Sequence, residues 1–311
     1  MRKKNYIFNR VAIIGMGLIG SSLSYAIKRK KISRYVSATA ASQKTIRVIR
    51  KLKLANKVSN TAKEAVQDAD LIIICTPISA YSKIIKEIKN SMMEDAILTD
   101  VGSVKQATIN CIKPHLPKKI TFIPGHPIAG TEESGPQSGF AELFDGRWCI
   151  LTPLKKTDKK KLKKLTKFWK KCGSRVALMN PKQHDSILAI TSHLPHLIAY
   201  NIVGTASSAQ EIRKSDVIKY SASGFRDFTR LASSDPTMWR DIFLNNKKPI
   251  LNMLSQFSKN LKSLQKGIKS ENGKMLFNFF LKTKRTRAEI IKAGQEIDQV
   301  NFGRKKSKKR K

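Results

Sequence analysis

The chain has 311 residues, enough for one large or two ordinary domains. With 41% hydrophobic and 27% charged residues and its apolar positions spread along the whole length, it is neither a disordered polymer nor a multi-span membrane protein, but a soluble, folded chain. The 61 Lys and Arg against 22 Asp and Glu give a formal charge of +39, which favours polyanions and acidic membrane surfaces. The lysines are scattered rather than gathered, and few aromatics alternate with them, so we expect no specific nucleic-acid partner and no membrane.

At the N-terminus, Arg2, Lys3 and Lys4 followed by the apolar stretch Val11 to Ile27 imitate a secretory signal. Gly15, Gly17 and Gly20 punctuate that stretch, and cleavage there would destroy the pattern that follows. The four cysteines, at 75, 111, 149 and 172, are too far apart for a CxxC knuckle, so reduced, buried thiols, no metal and a cytoplasmic location are expected.

Val11 to Ile14 predicts a strand, Gly15-Met-Gly17-Leu18-Ile19-Gly20 a turn, and Ser21 to Lys31 a helix. In such a unit the first glycine permits a tight turn, the second admits a pyrophosphate to the backbone, and the third lets helix and strand pack closely. The phosphates then lie on the free amides of a helix N-terminus. The alternation continues: strand Tyr35 to Ala38, helix Gln43 to Leu52, buried strand Leu71 to Cys75, helix Tyr81 to Met92, strand Ala96 to Asp100, and a helix from Gln106. Strands Ile120 to Ile123 and Trp148 to Thr152 and the helix Leu162 to Lys171 complete it. This is the pattern of an α/β protein with a doubly wound, Rossmann-type sheet, and Thr76-Pro77 ends a strand where ligands meet such a sheet.

Beyond about Asn180 the pattern turns helical: Gln183 to Ser208, Glu211 to Tyr220, Pro236 to Lys266 and Gly273 to Val300. The expected partition is a dinucleotide-binding domain over 5–179, an all-helical domain over 180–303, and a disordered basic tail over 304–311 with no assigned role. His115 and His184 look like ordinary surface or helix positions.

Four segments hold residue types that packing alone would not place there. They are Asp100-Val-Gly-Ser103-Val-Lys105, Gly125-His126-Pro-Ile-Ala-Gly130-Thr131-Glu132-Glu133-Ser134-Gly135, Ser192-His193-Leu-Pro-His196, and Gly224-Phe-Arg226-Asp227-Phe-Thr229-Arg230. The last is expected to open a loop before Trp239, and Pro195 to interrupt a helix. Together with the glycine turn, and in this order, they resemble the prephenate dehydrogenases and their arogenate and cyclohexadienyl relatives, from about Arg10 to Leu264. Other two-domain Rossmann dehydrogenases, of the β-hydroxyacid or pyrroline-carboxylate reductase type, share the glycine turn but lack GHPIAGTEESG and SHLPH.

The resemblance implies a helical dimerisation domain, a homodimer, and NAD(P)-dependent oxidative decarboxylation of a cyclohexadienyl carboxylate. It implies that His126, in a glycine-flanked loop, contacts the reacting hydroxyl as general base, and that Ser103 hydrogen-bonds the same hydroxyl. A plain helix N-cap is the alternative for Ser103. Arg230 is expected to grip a substrate carboxylate with its planar fork, Asp227 to orient Arg230 or join an internal polar network, and His196 to face the side-chain carboxylate. Ser192, His193, Thr131 and Glu132 fall around the pocket; Trp239 is either a cleft aromatic or junction packing.

Gly15, Gly17, Leu18, Ile19, Gly20, Thr39, Ser42, Lys44, Thr76, Pro77, Asp100 and Ser103 are the expected cofactor contacts. No acid occurs between the glycine turn and Glu64, where an NAD-type unit usually carries one for the ribose hydroxyls. Thr39, Ser42, Lys44 and Arg47 stand there instead, which favours NADP or dual use over strict NAD dependence. The choice between prephenate and arogenate is not legible.

Overall fold

The computed structural model describes residues 6–208, 216 and 219–292. The expected tail 304–311, most of the helix Glu211 to Tyr220 and the end of Gly273 to Val300 lie outside them. The chain divides into two compact units, Met1–Met253 and Leu254–Lys311.

In the first unit, β1 (Phe8–Ile14), β2 (Ser33–Thr39), β3 (Lys57–Val58), β4 (Leu71–Ile74), β5 (Ile97–Asp100) and β6 (Thr121–Phe122) form a parallel sheet of order β3-β2-β1-β4-β5-β6. This is the doubly wound dinucleotide-binding order, which reverses direction beside β1 and opens its ligand crevice at the strand carboxyl ends there. Val11 and Ile13 face one hydrophobic cluster, Ala12 and Ile14 the other, and Leu71 and Ile73 alternate with Ile72 and Ile74 in the same way. Both faces of β4 are buried, so it is apolar throughout rather than alternating.

Helices α1 (Leu18–Arg29), α2 (Gln43–Lys51), α3 (Ala62–Ala65), α4 (Tyr81–Ile88) and α5 (Gln106–Ile112) connect these strands. Three further strands that packing adds to the expected pattern, or moves, form a second sheet. In it β7 (Gly125–Pro127) runs antiparallel to β8 (Trp148–Leu151), and β9 (Arg175–Leu178) runs parallel to β8. His126 therefore sits in a strand, opposite Ile150, and not in the expected loop. Between β8 and β9, α6 (Lys159–Cys172) buries Leu165, Phe168, Trp169 and Cys172 and turns its lysines outward; Asp158 caps its start, and Gly173 at φ 112° ends it. All four cysteines are free; Cys149 and Cys172 are buried, Cys75 and Cys111 only partly.

The helices from Pro181 onward begin in this same unit. Asn180 accepts from the Gln183 amide to cap α7 (Pro181–Leu188), a wide π turn follows over Ala189–His193, and α8 (Leu194–Ser208) continues. Pro195 does not interrupt the helix. A proline removes one amide and crowds the carbonyl four residues back, and the π turn just before Pro195 opens the ladder where that carbonyl lies. The segment Gly224 to Arg230 is also not a loop: it forms a helix, Ser223–Thr229, and a 3-10 turn, Arg230–Ser233. The helix Pro236–Asn245 follows, capped by Asp235, and sends Trp239 and Ile242 into the cluster beneath the sheet.

In the second unit the helix Lys247–Lys269 ends and Gly273–Lys292 begins within a tight turn. Glu271 takes a left-handed φ of 49° there, and a Cβ on Gly267 would meet the Met275 side chain at 2.2 Å. Leu261, Ile268, Phe277, Phe280 and Ile290 are exposed.

Candidate active site

The glycine turn behaves as its spacing requires. Gly15 has φ +95°, and a Cβ there would collide with Cys75 backbone at 2.8 Å and with the Thr76 methyl at 2.7 Å. On Gly20 a Cβ would lie 2.1 Å from the Gly15 carbonyl oxygen, whereas on Gly17 it would meet nothing within 4 Å. The middle glycine thus faces open space at the start of α1, where no side chain caps the helix and the first-turn amides have no intrahelical acceptor. Beside it, Thr76 Oγ1 is buried and has no hydrogen-bond partner among the described residues. An open backbone cradle, free amides and an orphaned hydroxyl fit a dinucleotide pyrophosphate.

At the end of β2, Thr39 is buried and Lys44 is exposed. The Ser42 hydroxyl is engaged as the cap of α2, accepting from the Thr45 amide at 3.1 Å. Asp100 does not face a ligand, contrary to expectation. Its buried Oδ2 accepts from Lys105 Nζ at 2.5 Å, the Gly102 amide at 2.8 Å and the Tyr81 hydroxyl at 3.2 Å, and Oδ1 accepts from the Gly125 amide at 3.2 Å. Lys105, also fully buried, donates in addition to the Gly125 carbonyl at 2.7 Å. This internal ion pair anchors β7 to the end of β5, and so fixes the backbone that carries His126.

His126 is 8% exposed. Burial, then the neighbouring His184, Lys105 and His193, hold its imidazole well below the ordinary histidine pKa, leaving a neutral ring. Its Nδ1 lies 2.9 Å from His184 Nε2, and His184 Nδ1 lies 2.8 Å from Asp185 Oδ1. Asp185 also accepts from the amides of Lys105 at 2.8 Å and Gln106 at 2.9 Å. His184 is thus no ordinary helix position: it is fully buried against the candidate base. The signal for it in the sequence was a His-Asp pair near the start of a Pro-started helix, too short a pattern to stand out.

The same geometry bears on Ser103. Helix α5 takes no side-chain cap of its own, because Asp185 accepts the amides at its start; Ser103 is not the cap and stays half-buried in the preceding segment.

A second group is carried by the π turn Ala189–His193, the start of α8, the 3-10 turn at Arg230 and the helix Pro236–Asn245 with its C-cap Asn246. His193 is fully buried, its Nδ1 3.0 Å from Asn246 Nδ2, which also donates to the Asp185 carbonyl at 2.9 Å. His196 stacks on Trp239 with ring centroids 3.7 Å apart and planes 23° apart. Its Nδ1 donates to the Ser192 carbonyl at 2.8 Å, which leaves Nε2 as the acceptor. Trp239 is both a packing residue and a wall to His196. Arg230 Nη1 pairs with Glu132 Oε2 at 3.3 Å. Glu132, and not Asp227, is the acid on Arg230; Asp227 and Thr131 are exposed, and Asp227 joins no internal network among the described residues.

Comparison with known proteins gives matches to the family models "Prephenate dehydrogenase, nucleotide-binding domain" over residues 23–178 and "Prephenate dehydrogenase, dimerization domain" over residues 180–282. The chain is 38% identical over 284 residues to a cyclohexadienyl dehydrogenase of Zymomonas mobilis, covering 91% of this chain and 97% of that one. It superposes with a TM-score of 0.83 and 34% identity on a prephenate dehydrogenase from Aquifex aeolicus solved with hydroxyphenyl propionate and NAD+, covering 91% and 98% of the two chains. An arogenate dehydrogenase structure from Synechocystis gives a TM-score of 0.76 and 26% identity, over 90% and 99%.

Proposed function

The chain belongs to the prephenate dehydrogenase family, and from that premise we propose how its residues carry out the reaction. It is an NAD(P)-dependent oxidoreductase, a dehydrogenase of prephenate, arogenate or both. The nicotinamide supplies the hydride acceptor.

His126 takes the proton of the ring hydroxyl as hydride leaves the carbon that bears it, and Ser103 hydrogen-bonds the same oxygen. The bonding pair of the ring carboxylate then enters the ring as carbon dioxide departs. Aromatisation leaves a phenolate, which takes its proton back from His126. A neutral imidazole suits both transfers. The observation that carries this reading is the buried, neutral His126, fixed on β7 at the carboxyl end of the sheet by the Lys105 to Gly125 bond.

Arg230 binds one substrate carboxylate, exchanging Glu132 for it, and His196, stacked on the Trp239 ring, faces the side-chain carboxylate, which it can bind through Nε2 once the imidazole takes up a proton there. Ser192, His193 and Thr131 complete the wall. Gly15, Gly17 and the amides of Leu18, Ile19 and Gly20 hold the pyrophosphate, with Thr76 and Pro77 at the nicotinamide side. Thr39, Lys44 and Arg47 take the ribose end, and the absence of an acid before Glu64 supports NADP or dual use, since discrimination needs a repulsive element that is missing.

We assign residues 5–179 and 180–303 as the nucleotide and helical domains, with a homodimer through the latter, and a cytoplasmic enzyme without metal. The helix segment 181–208 is long and apolar enough to cross a membrane by length and composition, with 28% of its apolar window buried, but it carries the buried His184, Asp185 and His193 of this site, which argues against a membrane span. Initial rates of nicotinamide reduction with each substrate and each cofactor test the assignment. No reduction with prephenate or arogenate refutes it, and a preference for NAD beyond about tenfold, ~1.4 kcal/mol, refutes the cofactor choice.

A further inference from the structure

We propose that His184 and Asp185 are positioning residues that set the tautomer of His126, so that its Nε2, and not its Nδ1, bears the lone pair offered to the substrate. The inference rests on the function proposed above only in its kinetic arm.

The chain of bonds is anchored at its far end, on Asp185. Backbone amides can only donate, and Asp185 receives one on each oxygen, from Lys105 and Gln106. Its side chain is therefore held as an acceptor. Burial opposes ionisation, but the His184 bond and those two amides outweigh it and keep the carboxyl below its ordinary pKa. Because Asp185 Oδ1 is an acceptor, His184 Nδ1 carries the hydrogen.

Burial, which outweighs the opposing Asp185, keeps His184 below the usual imidazole value, with Lys105 acting in the same direction. The ring has one proton, already placed on Nδ1, so Nε2 is bare. The facing nitrogen, His126 Nδ1 at 2.9 Å, must then donate, which leaves His126 Nε2 unprotonated. The other charged or titratable groups at these rings are Lys105, Asp100 and His193. None of them supplies an alternative acceptor to His126 Nδ1 among the bonds of the structure. His193 engages Asn246 through Nδ1, and among the described residues its Nε2 makes no hydrogen bond.

The arrangement follows the general logic of a base oriented by a third group, with one imidazole inserted between base and carboxylate. When His126 becomes cationic, its Nδ1 hydrogen already points along a chain that ends on a carboxylate. The positive charge is stabilised without any reorientation of the rings.

Two experiments test this. In the wild-type protein labelled with ¹⁵N-histidine, which has five histidines, imidazole nitrogen shifts at neutral pH should report His126 and His184 as neutral Nδ1–H rings. A His126 signal with its proton on Nε2 overturns the proposal, whatever the enzyme's substrate proves to be. In kinetics, His184→Phe, which keeps an aromatic ring but no acceptor, should lower kcat on the order of 10²-fold with KM within about twofold. His184→Gln, which can present a carbonyl near the Nε2 position, should recover to within about tenfold of wild type. A folded, cofactor-binding His184→Phe with wild-type kcat overturns the assignment, as does a Gln variant no better than Phe. Absence of activity in the wild type would refute the function instead and leave the nitrogen shifts to decide the tautomer.

Discussion

Arg230 and Glu132, 98 residues apart in sequence, form an ion pair at 3.3 Å in which each side chain is about one-third exposed. In that setting the pair itself contributes little to stability, so the guanidinium is available for a second carboxylate. Replacing Arg230 with Gln should raise KM at least tenfold with kcat within about threefold, since a carboxylate clamp serves ground and transition states alike. Steady-state kinetics showing a fall in kcat alone would reassign Arg230.

His126→Asn should lower kcat by about 10²-fold or more while cofactor affinity, followed by nucleotide fluorescence, stays unchanged. An unchanged kcat would take His126 out of the proton transfer.

The glycine turn separates binding from folding. Gly17→Ala adds a methyl into open space at φ −76°, so its thermal midpoint should match wild type while cofactor Kd rises. Gly20→Ala places a Cβ on the Gly15 carbonyl and should destabilise the fold by about 2 kcal/mol or more in urea titration. Equal effects of the two would contradict the cradle.

Asp100→Ala leaves Lys105 buried without its carboxylate and should cost about 3–5 kcal/mol in unfolding free energy. The double variant Asp100→Leu with Lys105→Met should regain much of that loss, because neither charge then has to be buried. If the single variant is as stable as the double one, the pair is not the anchor described above.

Burial pushes His193 down to about 4, with His184 and His196 in the same direction and Asp185 opposing. The unfolded ring titrates near ~6.5. Protons therefore bind the unfolded chain preferentially between these values: the stability is complete above about 6.5 and is lost as pH falls toward 4. The loss from this residue is roughly 3 kcal/mol, readable as a falling urea midpoint, and His193→Gln should reduce that slope, the remainder coming from His126, His184 and His196, which burial also depresses. A midpoint in the wild type that is constant from pH 7 to 4 would exclude it.

The sheet was legible because the apolar run Val11 to Ile14 leads straight into the glycine turn and because Leu71 to Cys75 is apolar on both faces. His126 and Arg230 were legible through the segments that hold them. What failed did so for identifiable reasons. Three residues at Gly125–Pro127 are too few for a period-2 pattern, so the strand became visible only through its pairing with β8. Pro195 reads locally as a helix breaker, and only the turn before it reveals that the ladder has been opened to admit it. His184 depends entirely on tertiary structure, because 58 residues separate it from the ring it touches. Asp100 was misjudged for the same reason: an acid at the end of a central strand faces a crevice unless a buried lysine has already taken it.

The π turn at Ala189–His193 also acts as a phase shifter. A helix advances about 100° per residue, and a π turn accommodates one residue more than an α turn, so the side chains on either side of it obey two different angular registers. His184 and Asp185 are set by the register before it, and His196 by the register after it. If the same residues were wound as regular α-helix throughout, His196 would be turned about 100° off the Trp239 ring while His184 stayed against His126. Removing one residue from 189 to 191 should instead let the ladder close with both rings in place, so the extra residue in the turn is what holds base and pocket wall in phase.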